Sequence, residues 1–165
     1  EKIEKLAHLD DIQWHFIGPI QSNKTKLIAN NFSWVQSIDR LKIVKRLSDQ
    51  RATELPPLNV LIQVNISDEA SKSGCTLAEV NQLALSIHAL DNIKLRGLMA
   101  IPEKKESLEQ QIQAFSQLKT CFDALQTQYK EIDTLSMGMS ADLEAAIAAG
   151  STMVRIGTDI FGARS

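Results

Sequence analysis

The sequence predicts an α/β chain of the parallel (β/α)8 barrel type, and three observations carry that prediction. Strand-like and helix-like segments alternate without interruption along the 165 residues, which is the mark of a mainly parallel sheet with right-handed crossovers. The six strand-like segments recur about every 27 residues, so eight such units would need about 220, a usual barrel length. Near the C-terminus, two successive strand ends each run into a helix start. In a parallel barrel the loops after the last two strands form such a pair.

The elements follow in order. The opening EKIEKLAHL reads as the end of a charged helix. Strand-like runs are expected at 14–18, 34–38, 59–66, 94–101, 133–137 and 153–157. They are rich in β-branched and aromatic residues, or are short apolar runs bounded by turn residues. Helical segments are expected at 22–31, 39–51, 76–90, 107–130 and 140–149, each beginning near Ser, Thr or Asp. In the third, Leu77, Val80, Leu83, Ala84 and Ile87 fall on one face at helical spacing. The fifth stops at Gly150, as a C′ glycine should. Glu54-Leu-Pro-Pro-Leu is a short rigid connector, so residues 1–165 form one domain. Because the chain opens at Glu1 inside a helix, two βα units are expected to precede it, leaving six of eight in this chain. A complete six-stranded doubly wound sheet is the alternative.

Composition narrows the function. A 44% hydrophobic chain of this length builds a sizeable core. Its net charge of −2 lacks the basic stripe of a nucleic-acid binder. The basic cluster from Arg40 to Arg51 is interrupted by apolar residues at helical spacing and reads as a solvated helix face. No run reaches the roughly 18 apolar residues of a membrane span, and no signal peptide is visible, so a cytoplasmic location is expected. Cys75 and Cys121 lack a CxxC spacing or a His partner, and reduced thiols are expected rather than a disulfide or metal site.

The block from Asp133 to Arg164, DTLSMGMSADLEAAIAAGSTMVRIGTDIFGAR, is the richest in chemistry. Two helix starts presenting backbone N–H groups at neighbouring strand ends hold a phosphate without needing a basic side chain on it. A phosphorylated small molecule is therefore the first ligand to expect. Strand parity adds detail, since polar residues opposite the apolar, helix-facing set mark the barrel interior or its mouth. Gln63 and Asn65 lie opposite Val60, Ile62 and Val64, while Thr134 and Ser136 share a face of the fifth strand. Arg155 and Gly157 lie opposite Val154 and Ile156, and a guanidinium in that interior needs a protein or ligand partner. A buried salt bridge is the alternative.

Four motifs then stand in unbroken order: WHFIGPIQSNK from Trp14, VNISDEASKSG from Val64, RGLMAIP from Arg96, and the 136–162 block. On these the chain resembles the pyridoxal phosphate homeostasis proteins, which share the fold of the alanine racemase N-terminal domain. The resemblance implies a barrel that binds pyridoxal 5′-phosphate (PLP) and carries or buffers it for PLP-dependent apo-enzymes, without established turnover. In that family a lysine at the end of the first strand forms a Schiff base with the aldehyde. That strand precedes everything in this sequence, so the Schiff-base lysine is expected to be absent from this chain, and none of its lysines is assigned the role.

Residue by residue, the resemblance implies cofactor binding at Met139, Ser140, Arg155, Gly157 and Thr158, with His15 as a further contact. Ser140 donates to phosphate oxygens or simply caps its helix; Gly157 and Thr158 supply the second set of amides. Arg155 matches the position near the pyridine nitrogen. Its guanidinium stays protonated, so that nitrogen must accept, which weakens the cofactor as an electron sink. Met139 touches the ring edge or packs, and His15 is either a ligand contact or a hydrogen-bonded structural histidine. Asn23 and Lys24 lie at a loop where an anion would dock or a helix simply starts. Lys72 is the best second amine near the aldehyde. No catalytic residue and no metal ligand is expected. Two other functions stay open: a PLP-dependent racemase or decarboxylase, and a barrel enzyme acting on a sugar phosphate. Against the racemase, the single tyrosine, Tyr129, lies at a helix end. For the sugar-phosphate enzyme, Asp68 and Glu69 are the only obvious carboxylate pair, and they read as a loop cap.

Overall fold

The computed structural model describes residues 2–66, 73–103 and 107–162. A short helix α1 (Lys2–Lys5) leads into six βα repeats. In chain order these are β1 (His15–Phe16), α2 (Thr25–Asn31), β2 (Trp34–Ile38), α3 (Leu41–Gln50), β3 (Leu58–Gln63) and α4 (Val80–His88). Then come β4 (Ile93–Met99), α5 (Leu108–Gln128), β5 (Thr134–Met139), α6 (Leu143–Ala148), β6 (Met153–Arg155) and α7 (Thr158–Phe161). All six strands and five helical segments expected from the sequence are present, with ends shifted by a few residues. The largest shifts are at helix starts. α2 begins after Lys24 and α3 after Arg40, neither with a side-chain cap, whereas Ser107 does cap α5 by accepting from Gln110 N at 3.2 Å.

The strands pair in parallel in the order β1-β2-β3-β4-β5-β6. A doubly wound sheet reverses its order at a switch point; this one does not. Side-chain contacts show how far it curls. In a flat sheet β2 and β6 would lie about 19 Å apart, four strand spacings. Yet the Gln36 amide nitrogen on β2 is 3.3 Å from the Met153 sulfur on β6, and Gln36 Oε1 is 2.6 Å from Ser136 Oγ on β5. The sheet is thus a curled wall whose inner face closes on itself.

Alternation along the strands sorts the side chains. Val60, Ile62, Val64, Leu135 and Met137 face the helices and join one large core with Ile43, Val44 and Leu47 of α3 and Phe115, Leu118 and Phe122 of α5. Each fully buried side chain of this kind contributes about 1.5–3 kcal/mol. The opposite parity forms a separate interior cluster of Trp34, Leu61 and Met99, beside the buried polar residues Gln36, Gln63, Thr134 and Ser136. Val60, Ile62 and Val64 on one face of β3 and Gln63 on the other match the parity read from the sequence.

Two glycines have backbone reasons. Gly97 (φ +149°) sits at the register shift between β3 and β4, where Leu61 pairs Gly97 after Val60 pairs Leu95. A Cβ there would meet the Thr134 carbonyl oxygen at 1.9 Å. Gly150 (φ +90°) terminates α6, as the sequence predicts.

The basic segment divides. Lys42, Lys45 and Arg46 are exposed on α3, as expected of a solvated face. Arg51 departs from that reading, because it is buried and donates to the carbonyls of Ala29, Phe32 (2.8 Å) and Pro56 (2.9 Å). It satisfies carbonyls left open where α2 ends. Both cysteines are free, and burial pushes the Cys75 thiol up to about 12. Among the described residues, no helix is long and apolar enough to cross a membrane.

Candidate functional site

The ends of β5 and β6 open on a cavity of about 820 Å³. Its wall includes Met139, Ser140, Arg155, Gly157 and Thr158, so five of the six cofactor-binding residues expected from the sequence converge on one space. Ile17, Ile101, Ile156 and Phe161 give it an apolar side.

Ser140 is not an N-cap. The turn after β5 runs on through Ala141, and Asp142 holds the cap position of α6 without capping it. The Asp142 carboxylate instead turns back and accepts from Met139 N–H at 2.6 Å. This leaves the Ser140 hydroxyl for the neighbouring loop, where its Oγ accepts from Asp159 N–H at 3.4 Å. The turn before α6 and the first turn of α7 are therefore in contact. Gly157 is the N-cap of α7, exposed, and a Cβ built on it meets no atom within 4 Å. That open ground lies beside helix-start N–H groups that have no intrahelical partner. A hydroxyl, such amides and a glycine that leaves space are the donor set an anion requires.

Arg155 is positioned by the interior of the sheet. Its Nη1 donates to Ser136 Oγ at 2.8 Å and its Nη2 to the Ala100 carbonyl at 3.0 Å. Among the described residues no carboxylate forms an ion pair with it, so the buried salt bridge considered from the sequence is not formed. Burial lowers its pKa and the nearby Asp142 opposes that shift. A guanidinium stays protonated under such conditions, so a fixed positive charge, with N–H donors beyond the two spent on Ser136 and Ala100 among the described residues, stands on the cavity wall.

His15 is not among the residues that line this cavity. Its ring stacks on Trp34 with centroids 5.1 Å apart and planes 6° from parallel, and its Nδ1 is 2.9 Å from Gln36 Nε2. Arg96 covers Trp34 in turn, 4.9 Å from the ring centroid. Burial lowers the pKa of His15. The hydrogen-bonded structural alternative describes its present contacts.

Sequence reasoning missed Gln36. It is 2% exposed and joins β1, β5 and β6 through their side chains. A polar residue inside the run WVQSI, at the parity of Trp34, is the local signal for it. Asn23 and Lys24 are exposed ahead of α2 and do not line the cavity. Tyr129 lies against His88, with ring centroids 5.0 Å apart, at the end of α5. Lys72, Asp68 and Glu69 fall outside the described residues.

Comparison with known proteins identifies the family. The model of the alanine racemase N-terminal domain family matches residues 3–165. The chain is 56% identical to the pyridoxal phosphate homeostasis protein of Escherichia coli K12, over 99% of this chain and 72% of that protein. It is 58% identical to the protein of that name from Vibrio alginolyticus, over 99% of this chain and 73% of that protein. Among solved structures, PipY of Synechococcus elongatus with PLP bound superposes with a TM-score of 0.86 at 29% identity. The match covers 98% of this chain and 76% of PipY. The chain belongs to the alanine racemase N-terminal domain family, and within it to the pyridoxal phosphate homeostasis proteins.

Proposed function

We propose that this chain binds pyridoxal 5′-phosphate in the cavity at the ends of β5 and β6, and that it holds the cofactor rather than turning over a substrate with it. The observation that carries the proposal is the meeting of two loops in one cavity. Ser140 from the first and Gly157–Thr158 from the second supply neutral donors, with Arg155 as a fixed cation on the same wall. These residues fit a phosphate monoester attached to a flat heteroaromatic ring. The hydroxyl and the helix-start amides take the phosphate, the space beside Gly157 admits it, and the apolar side chains of Ile17, Ile101 and Met139 suit the ring.

When bound, PLP supplies a reactive aldehyde. The protein residues here do the holding. Arg155 only donates, so a ring nitrogen placed against it accepts and stays unprotonated, which makes the ring a poor electron sink. The Arg155 donor supports carrying or buffering over racemization, and the recipients we propose are PLP-dependent apo-enzymes.

Crystals soaked in PLP test the assignment. Phosphate density is expected between the Ser140 turn and Gly157–Thr158. Density around the basic face of α3 instead would defeat it. The non-catalytic part is tested by incubating the PLP-loaded protein with single enantiomers of amino acids, where no inversion is expected.

A further inference from the structure

Four side chains drawn from four strands form one hydrogen-bonded line through the interior of the curled sheet. Arg155 Nη1 reaches Ser136 Oγ at 2.8 Å, Ser136 Oγ reaches Gln36 Oε1 at 2.6 Å, and Gln36 Nε2 reaches His15 Nδ1 at 2.9 Å. Its polarity follows from which atoms carry hydrogen. A guanidinium only donates, so Ser136 Oγ accepts from Arg155. An amide carbonyl oxygen carries no hydrogen, so the Ser136 hydroxyl proton goes to Gln36 Oε1. That leaves the Gln36 amino group facing His15, where it donates to Nδ1 and also to the Met153 sulfur at 3.3 Å.

Turning the amide over degrades the line. Its amino group would then donate to Ser136, whose own proton would have no acceptor in the line, since both neighbours would be donors. The carbonyl oxygen would meet the lone pairs of the Met153 sulfur. Ser136 is 0% exposed and Gln36 is 2% exposed, so bulk water cannot supply the missing partner. An unsatisfied buried polar group is costly.

We propose that Gln36 is a positioning residue that transmits the donor polarity of Arg155 to His15 and so holds the imidazole as its Nε2–H tautomer. The Nδ1 lone pair is then committed to Gln36, and any acceptor His15 serves must be met through Nε2–H. Burial, which favours the neutral ring, works in the same direction. In its consequence for the cofactor the inference rests on PLP binding at Arg155. The tautomer itself is a property of the ligand-free chain.

Long-range proton–nitrogen NMR spectra of protein labelled with 15N in histidine read the tautomer directly, with His15→Asn identifying the His15 signals. The expected wild-type spectrum shows Nδ1 bare and Nε2 protonated. Ser136→Ala touches no atom of His15, yet it should release the amide and add a second set of signals from the Nδ1–H form. Gln36→Glu offers only acceptors and should place a proton on Nδ1, whereas Arg155→Lys preserves a donor and should retain the wild-type form. An Nδ1–H ring in the wild type, an unchanged tautomer in Ser136→Ala, or a bare Nδ1 in Gln36→Glu overturns the relay. PLP affinity of Ser136→Ala is expected to fall about three- to tenfold, the worth of one hydrogen bond. Failure of the wild type to bind PLP would defeat the proposed function, while the ligand-free spectra would still decide the relay.

Discussion

Ser140 Oγ lies 3.4 Å from the backbone nitrogen of Asp159, nineteen positions away. That contact joins the turn after β5 to the start of α7 and makes two strand-end loops into one wall. Its serine departs from the helix-capping role its sequence position suggests, because Asp142 holds that place and spends its carboxylate on Met139 N–H. The hydroxyl is thereby left where an anion bound between the loops would meet it.

Ser140→Ala removes one donor to a charged group. Binding of PLP or inorganic phosphate should weaken by about 1.5–3 kcal/mol, roughly ten- to 150-fold. Titration by absorbance or calorimetry measures this. An unchanged dissociation constant would place the anion elsewhere.

Gly157→Val separates binding from folding. No atom lies within 4 Å of the Cβ position, and the backbone there does not need glycine. The unfolding free energy should therefore stay within about 0.5 kcal/mol of wild type, as for other unconstrained surface positions. Phosphate and PLP binding should be lost, since the new side chain occupies the approach to the amides. Wild-type affinity in this variant would count against the cradle.

Gly97→Ala should have the opposite profile. The new methyl would sit 1.9 Å from the Thr134 carbonyl oxygen in a backbone conformation suited to glycine. Relieving that clash moves β4 from β5, at a cost of about 3 kcal/mol or more. Denaturant unfolding reads the loss. A midpoint close to wild type would mean that the register shift between β3 and β4 relaxes freely.

The depressed pKa of His15 gives a pH signature. Above the unfolded value of about 6.5 the ring is neutral in both states and contributes no pH dependence. As pH falls below that value, the unfolded chain takes up a proton that the folded chain resists, so stability falls until the folded pKa is passed. Urea unfolding at pH 7.5 and 5.5 should show a larger loss for wild type than for His15→Asn. Equal losses would show that burial does not hold the ring neutral.

The alternation of elements, the helix-facing parity and the two strand-end loops that line the cavity could all be read from the chain, because each depends on neighbours a few residues apart. Val60, Ile62 and Val64 declare their face by a period of two. Gly150 declares a helix end by its own backbone freedom. Short motifs around Ser140 and Gly157 carried the family resemblance for the same local reason. Tertiary structure alone decided the rest. Arg51 belongs by its spacing to a basic surface and is buried, because the open carbonyls of Ala29 and Phe32 come within its reach only after α2 and α3 pack. Gln36 and Ser136 stand one hundred positions apart and meet at 2.6 Å because the sheet curls far enough to bring β2 against β5. Local pattern sets which face of a strand is polar. The curvature of the whole sheet sets which polar group it meets, and so where each proton in that interior resides.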